Sequence, residues 1–183
     1  MFESLIGEYT KELTSSPKTA MILCTVEPIR THRVRTDREF DVLATLFREY
    51  ADGLGIDLSF QGFESELDRL DEMYGPPSGA ALLAESAGDY VGCVGVRQFD
   101  EHACEMKRLY VRPSARGRGL GSRLAAEAEA AAKDLGYRRV VLDTLSTMSA
   151  AIRVYESLGF ERVEPYYHNP LPNATYFSKR IAS

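Results

Sequence analysis

No apolar stretch of this 183-residue chain approaches the roughly 20 residues that a helix needs to cross a bilayer, so no membrane association is expected. Positive charge is in short supply. Lys and Arg number 22 against 27 Asp and Glu, a formal net charge of −5. Without a bulk positive field, nucleic acid is not an expected partner. Cysteine and histidine are scarce as well. Cys24, Cys93 and Cys104 form no CxxC pair, and His32, His102 and His168 are scattered. A metal site needs ligands clustered at short spacing, so no metal is expected. The cysteines read as buried free thiols of a reducing compartment. The first 20 residues carry acids early and hold no apolar core of the kind a secretory leader has. A cytoplasmic location is the default expectation.

What the chain does have is an ordinary globular composition, 44% apolar and 27% charged, over a length that suits one domain with a core of its own. Residues 1–20 read as an N-terminal extension and 21–183 as a single domain. MILCTVEPI at 21–29 reads as a strand. Asp37 can cap a helix whose apolar positions are Phe40, Leu43, Leu46, Phe47 and Tyr50, and Gly53 and Gly55 end it. A second helix over 63–74 is broken by GPPSG at 75–79. Three strands at 80–86, 90–98 and 104–111 suit an antiparallel meander. A helix over 119–135, a buried strand over 138–145, a helix over 148–158 and strands from Phe160 and over 175–181 complete the chain. The order β, α, α, β, β, β, α, β, α, β, β predicts an α/β (α+β) domain on a mixed sheet.

Residues 105–123, EMKRLYVRPSARGRGLGSR, are the segment richest in chemistry. A strand runs through an arginine-rich glycine turn into a helix start. Such a turn gathers backbone N–H groups and the positive end of a helix dipole around one point, which suits a ligand bearing several phosphate charges. Arg112, Arg116, Arg118 and Arg123 crowd the same place. A P-loop would need Lys then Ser or Thr after its second glycine, and neither is in place. A dinucleotide fingerprint would need GxGxxG at the strand end; here the spacing is GxGxG, set back by Pro113–Arg116, although Asp143 follows at a tempting distance. An ordinary helix entry with solvated arginines remains a third reading of the spacing.

RGRGLG at 116–121 resembles the R/Q-x-x-G-x-G/A motif of the GCN5-related N-acetyltransferases (GNAT) through Arg116, Gly119 and Gly121. LYVRP at 109–113 is similar to the strand that leads into that motif, and AIRVYESLGF at 151–160 to the family's later helix. The detailed likeness covers about 104–160. It implies a mostly antiparallel central sheet, flanked by helices and splayed between its fourth and fifth strands. It also implies acetyl-CoA as acyl-donor cosubstrate. Leu109, Tyr110 and Val111 would pair with the pantetheine arm. Arg116, Gly117, Arg118, Gly119, Leu120, Gly121 and Ser122 would hold the pyrophosphate. Dimers are common in the family, so a homodimer is a possible state.

Direct acetyl transfer to an amine needs a base, an oxyanion donor and an acid for the departing thiolate. The resemblance assigns the base to Glu105, the oxyanion donor to a backbone N–H near Leu109, and the acid to Tyr155. Glu105 has a competing reading as an ion-pair partner of Lys107 or Arg108. Tyr155 has one as a plain core residue, since Ile152, Tyr155 and Leu158 share helical spacing. Alternation places Glu105 and Lys107 on one face with Leu109 and Val111, and a splayed cleft would keep the charges wet. Met148 stands where many members carry an asparagine. For the acceptor, a small-molecule or amino-acid-like primary amine, Asp143, Tyr166 and Asn169 are candidates. Asp143 could instead cap the helix near 147. A non-catalytic acetyl-CoA-binding module is the alternative function.

Overall fold

The computed structural model describes residues 27–181; the extension over 1–20, Cys24 and most of the strand expected over 21–29 lie outside the described residues. The first described strand is β1 (Arg30–Arg33), and residues 27–29 form none. The polar RTHR segment finds its partner through the register Arg33↔Leu82 to Arg30↔Glu85.

Helix α1 (Asp37–Leu54) is capped one residue earlier than expected. Thr36, not Asp37, is the N-cap. Its Oγ1 accepts from the Glu39 N–H at 3.3 Å, and Glu39 accepts in turn from the Thr36 N–H at 3.0 Å, a reciprocal capping box. Leu43, Leu46 and Phe47 are buried along its inner stripe. The helix passes through Gly53 and stops at Gly55, whose left-handed φ of 64° closes the last turn. The segment expected as one helix over 63–74 is two short ones, α2 (Phe63–Leu67) and α3 (Leu70–Tyr74), broken at Asp68–Arg69.

The meander then runs as β2 (Ala80–Ser86), β3 (Asp89–Gln98) and β4 (Ala103–Val111). Helix α4 (Leu120–Asp134), strand β5 (Arg139–Leu145), helix α5 (Ser149–Ser157), and strands β6 (Glu161–Val163) and β7 (Ala174–Arg180) follow. One mixed sheet has the order β1-β2-β3-β4-β5-β7-β6. Helices α1 to α3 cover one face, over Leu83 and Cys93. Helices α4 and α5 cover the other, over Val94, Met106, Val140 and Leu142.

Two irregularities in β4 make the site. The parallel pairing of β4 with β5 is confined to Ala103↔Arg139, Cys104↔Val140 and Glu105↔Val141. Beyond Glu105 the two strands part. Opposite them, β4 holds one residue more than β3. Register passes from Gly95↔Lys107 to Cys93↔Tyr110, so Arg108 and Leu109 together face Val94 as a β-bulge. Arg108 adopts a left-handed φ of 57°, which a non-glycine residue takes only under outside constraint.

The bulge overturns the simple alternation expected for this strand. Met106, Leu109 and Val111 pack toward the α4 side, while Tyr110 packs toward α1. Nor are the strand's charges wet. Glu105, Lys107 and Arg108 are 3%, 5% and 5% exposed. Each is bonded to partners from elsewhere in the fold, the usual condition for a buried charge.

Candidate active site

The opening between β4 and β5 leads into a cleft of about 480 Å³ lined on one side by Leu109, Tyr110 and Val111 and at its end by the glycine turn. Arg116, Gly117, Gly119, Leu120, Gly121 and Ser122 form that end. Gly117 and Gly119 have φ of 76° and 74°, the left-handed region that glycine enters freely. Gly119 is the N-cap of α4 and offers no side chain to its first turn, so the N–H groups there point into the cleft unclaimed by a cap. A Cβ at Gly121 would meet nothing within 4 Å, so a ligand can lie directly against the backbone there.

Of the anticipated donor-binding residues only Arg118 stands away from the lining. It donates to the Glu27 carbonyl at 3.0 Å. The basic crowd is also less free than its sequence suggested. Arg112 grips Glu49 and the Tyr90 carbonyl, and Arg123 grips Glu127, Thr31 and the Ile29 carbonyl. Arg116 donates to the Val111 carbonyl at 3.0 Å.

The cleft continues into a second, narrow chamber of about 40 Å³, and Tyr50, Leu54, Leu109 and Met148 border both. Lys107, Arg108, Gln61 and Asp143 bring polar groups to it; Ile56, Leu58, Leu145 and Leu171 bring apolar ones. Lys107 Nζ donates to Asp143 Oδ1 at 3.2 Å and to Gln61 Oε1 at 3.3 Å. Asp143 Oδ2 accepts from the Tyr167 hydroxyl at 2.9 Å, and Tyr167 accepts from Asn169 Nδ2 at 2.9 Å and Gln61 Nε2 at 3.2 Å. Burial and the Asp143 charge push the Tyr167 pKa up, so it keeps its proton for that bond. Asp143 caps no helix; α5 starts at Met148 without a side-chain cap.

Glu105 sits behind this wall. Its Oε2 accepts from Arg97 Nε and Nη2 at 2.9 and 2.7 Å, its Oε1 accepts from the Tyr166 hydroxyl at 3.1 Å, and Lys107 Nζ lies 3.8 Å away. The ion pair foreseen for Glu105 is thus chiefly with Arg97, its cross-strand partner. Arg108 turns the other way. Its Nε and Nη2 donate to Glu66 at 3.1 and 2.7 Å, and Tyr74 donates to the same Glu66 at 2.7 Å. That bidentate clamp is the constraint that holds the left-handed φ. Burial raises the Glu66 pKa, and the Arg108 bonds and charge outweigh it, leaving the carboxyl below its ordinary range.

Tyr155 lines the same chamber, its ring packed against Phe160 and Phe177 with centroids 5.9 Å away in both cases. Every fully buried side-chain polar atom among the described residues has a hydrogen-bond partner. The Tyr155 hydroxyl has none among the described residues, so it meets open space. Burial, followed by the charges of Tyr50 and Asp143, raises its pKa.

The model of the acetyltransferase (GNAT) family matches residues 43–160. The chain belongs to this family. An uncharacterized N-acetyltransferase of Schizosaccharomyces pombe is 46% identical over 145 residues, covering 78% of this chain and 89% of its own. An uncharacterized N-acetyltransferase of Escherichia coli is 32% identical over 126 residues, with 67% and 74% covered. Among solved structures, a GNAT-family acetyltransferase of Staphylococcus aureus superposes with a TM-score of 0.70 at 18% identity, over 85% of this chain and 100% of its own. This is the fold the resemblance implied, with the splay between the fourth and fifth strands.

Within this GNAT frame the structure brings Tyr155 and Asp143 to one chamber and keeps Glu105 and Tyr166 one layer behind it. Asn169 reaches Asp143 only through Tyr167. Lys107, Gln61 and Arg97 were not singled out from sequence as site residues. Counting across the β3–β4 turn would have paired Arg97 with Glu105, whereas nothing local announces that Gln61 folds over Lys107. Among the described residues no group of three or more His, Cys, Asp and Glu could hold a metal ion, and no helix is long and apolar enough to cross a membrane.

Proposed function

We propose that this protein transfers the acetyl group of acetyl-CoA to the primary amine of a small-molecule or amino-acid-like acceptor, by direct attack in a ternary complex. The observation that carries the reading is the single hollow with two unlike arms. One arm ends at the uncapped α4 N-terminus and follows the unpaired edge of β4; the other is a polar chamber; Tyr155 lines the chamber beyond Leu109 and Met148, which border both. Pyrophosphate suits the first end, and the pantetheine arm would complete the β4 ladder over Leu109–Val111. A putative acetyltransferase of Salmonella typhimurium solved with acetyl-CoA shares the fold at a TM-score of 0.62 and 17% identity, and supports this use of the cleft.

In the proposed reaction Asp143 receives the acceptor as an ammonium. One proton leaves it for Glu105, at one remove through water, since Lys107 and Tyr166 stand in front of that carboxylate. The freed nitrogen pair forms the C–N bond at the thioester carbonyl, whose developing oxyanion faces the N–H of Leu109 at the bulge. The C–S bond then breaks, Tyr155 gives its proton to the thiolate, and the amide nitrogen's surplus proton restores Tyr155. Net, one ammonium and one thioester become one amide, one thiol and one proton. A tyrosine held protonated and open to the chamber is what favours an enzyme over a non-catalytic acetyl-CoA-binding module. A cytoplasmic location, consistent with the buried free thiols Cys93 and Cys104, belongs to the same proposal.

The test is a thermal-shift titration with acetyl-CoA, coenzyme A and NADH side by side, followed by thiol release with an amine panel. A ligand bound only by the folded state adds about 2.7 kcal/mol of apparent stability at a hundredfold excess over Kd. Stabilisation by both coenzyme A forms but not by NADH is expected, with amine-dependent thiol release. Absence of any shift with coenzyme A would remove the assignment.

A further inference from the structure

The chamber's charges define the acceptor more narrowly. Of its two cations, Arg108 is spent: both guanidinium donors that the structure records go to Glu66, on the α2 side. Lys107 and Asp143 are left, one cation and one anion 3.2 Å apart, with side chains 4% and 11% exposed. This pair is electroneutral and sits in a largely dry space.

A simple alkylammonium entering here would add an unbalanced positive charge to a buried cluster, which is costly. A zwitterion adds none. Its ammonium can take over one Asp143 oxygen, and its carboxylate can take over the ammonium of Lys107. One ion pair is then exchanged for two. Gln61 stands where its amide can follow. Its Oε1 now accepts from Lys107 and its Nε2 donates to Tyr167, so the Nε2 donor can swing to a carboxylate. Elsewhere the wall is largely apolar, with Ile56, Leu58, Leu145 and Leu171 beside the uncharged hydroxyls of Tyr50, Thr144 and Tyr155, and it has no cation left for a second carboxylate.

We propose that the acceptor is a zwitterionic amino acid with an uncharged side chain, its carboxylate bound by Lys107 and Gln61 and its amine by Asp143. This rests on the acetyltransferase reading above. Lys107 is thereby a specificity-determining residue. The proton given up by the amine passes to Glu105 within the same cluster, so the buried charge is unchanged when attack begins.

The experiment is a matched panel with saturating acetyl-CoA and thiol release as readout: neutral amino acids, their decarboxylated amines, and aspartate and lysine. The expected kcat/KM for neutral amino acids exceeds that of the decarboxylated amines by about 100-fold or more, with aspartate and lysine also poor. In Lys107→Met, that preference is expected to shrink to within about tenfold, while stabilisation by coenzyme A is retained. Should Lys107→Met not fold, Gln61→Leu takes its place, with KM raised for amino acids and unchanged for simple amines. Decarboxylated amines turned over as well as amino acids would overturn the proposal and leave the acetyltransferase reading standing. Binding of coenzyme A with no turnover of either series would overturn the proposal and turn the acetyltransferase reading into that of a non-catalytic binding module. Failure of coenzyme A to bind at all would remove both.

Discussion

Tyr155 and Glu105 have opposite surroundings. Tyr155 meets open space in the chamber, while Glu105 is saturated with donors from Arg97 and Tyr166. Loss of a general acid or base typically costs about 10²–10⁴ in rate. Tyr155→Phe should lower kcat about 100-fold across the accessible pH range and leave the stabilisation by coenzyme A intact. Glu105→Gln should also lower kcat within that range of cost. A Tyr155→Phe enzyme as fast as the parent at every pH would return this side chain to a packing role with Phe160 and Phe177.

At the scale of elements, the bulge in β4 depends on a neighbour that has no side chain. Gly95 on β3 lies under Tyr74; a Cβ there would stand 2.4 Å from the ring. Tyr74 in turn donates to Glu66, which clamps Arg108 in its left-handed conformation. Overpacking a core typically costs about 1–3 kcal/mol. Gly95→Ala should therefore lower Tm by about 2–10 °C in a chain of this size. It should also cut activity by more than the loss of folded protein explains, because the clamp on the bulge loosens. Unchanged Tm and kcat would show that Tyr74 has room to move.

This chain of contacts also marks where the sequence stops being readable. The element order follows from periodicity and glycine punctuation, and the glycine turn announced a cleft that Arg116, Gly119 and Gly121 line. What periodicity cannot carry is an exception to period. The extra residue at Arg108 reverses the facing of Leu109 and Val111, and only the register against β3 reveals it. The charges of β4 looked as if they needed water because their partners, Glu66 and Asp143, are 42 and 36 residues away. The polar strand Arg30–Arg33 carries no local pattern that announces it, since its pairing with β2 is invisible locally.

Over the whole molecule, stability should follow pH in a direction the carboxylates set. Glu39, Glu49, Glu66 and Glu129 all have folded-state pKa values below the ordinary 4.5. For Glu39 the Arg35 amide leads, and for Glu49 the bond from Arg112. For Glu129 burial pushes up, and Lys179 and Lys133 prevail. A depressed pKa contributes stability that is present above the unfolded value and lost as pH falls through the folded one. Tm should hold between pH 6 and 8 on this account and fall steadily below about 4.5. A Tm indifferent to pH between 5 and 3 would contradict it.

The sheet of this protein is left unfinished. Three residue pairs join β4 to β5, and past them β4 makes no further rung with β5. If acetyl-CoA supplies the missing rungs, then a metabolite becomes a building material as well as a reagent. That open seam lies where its supply is felt most. A cell short of acetyl groups would then hold this enzyme not merely idle but less securely folded, and open to clearance along the line where its donor normally lies.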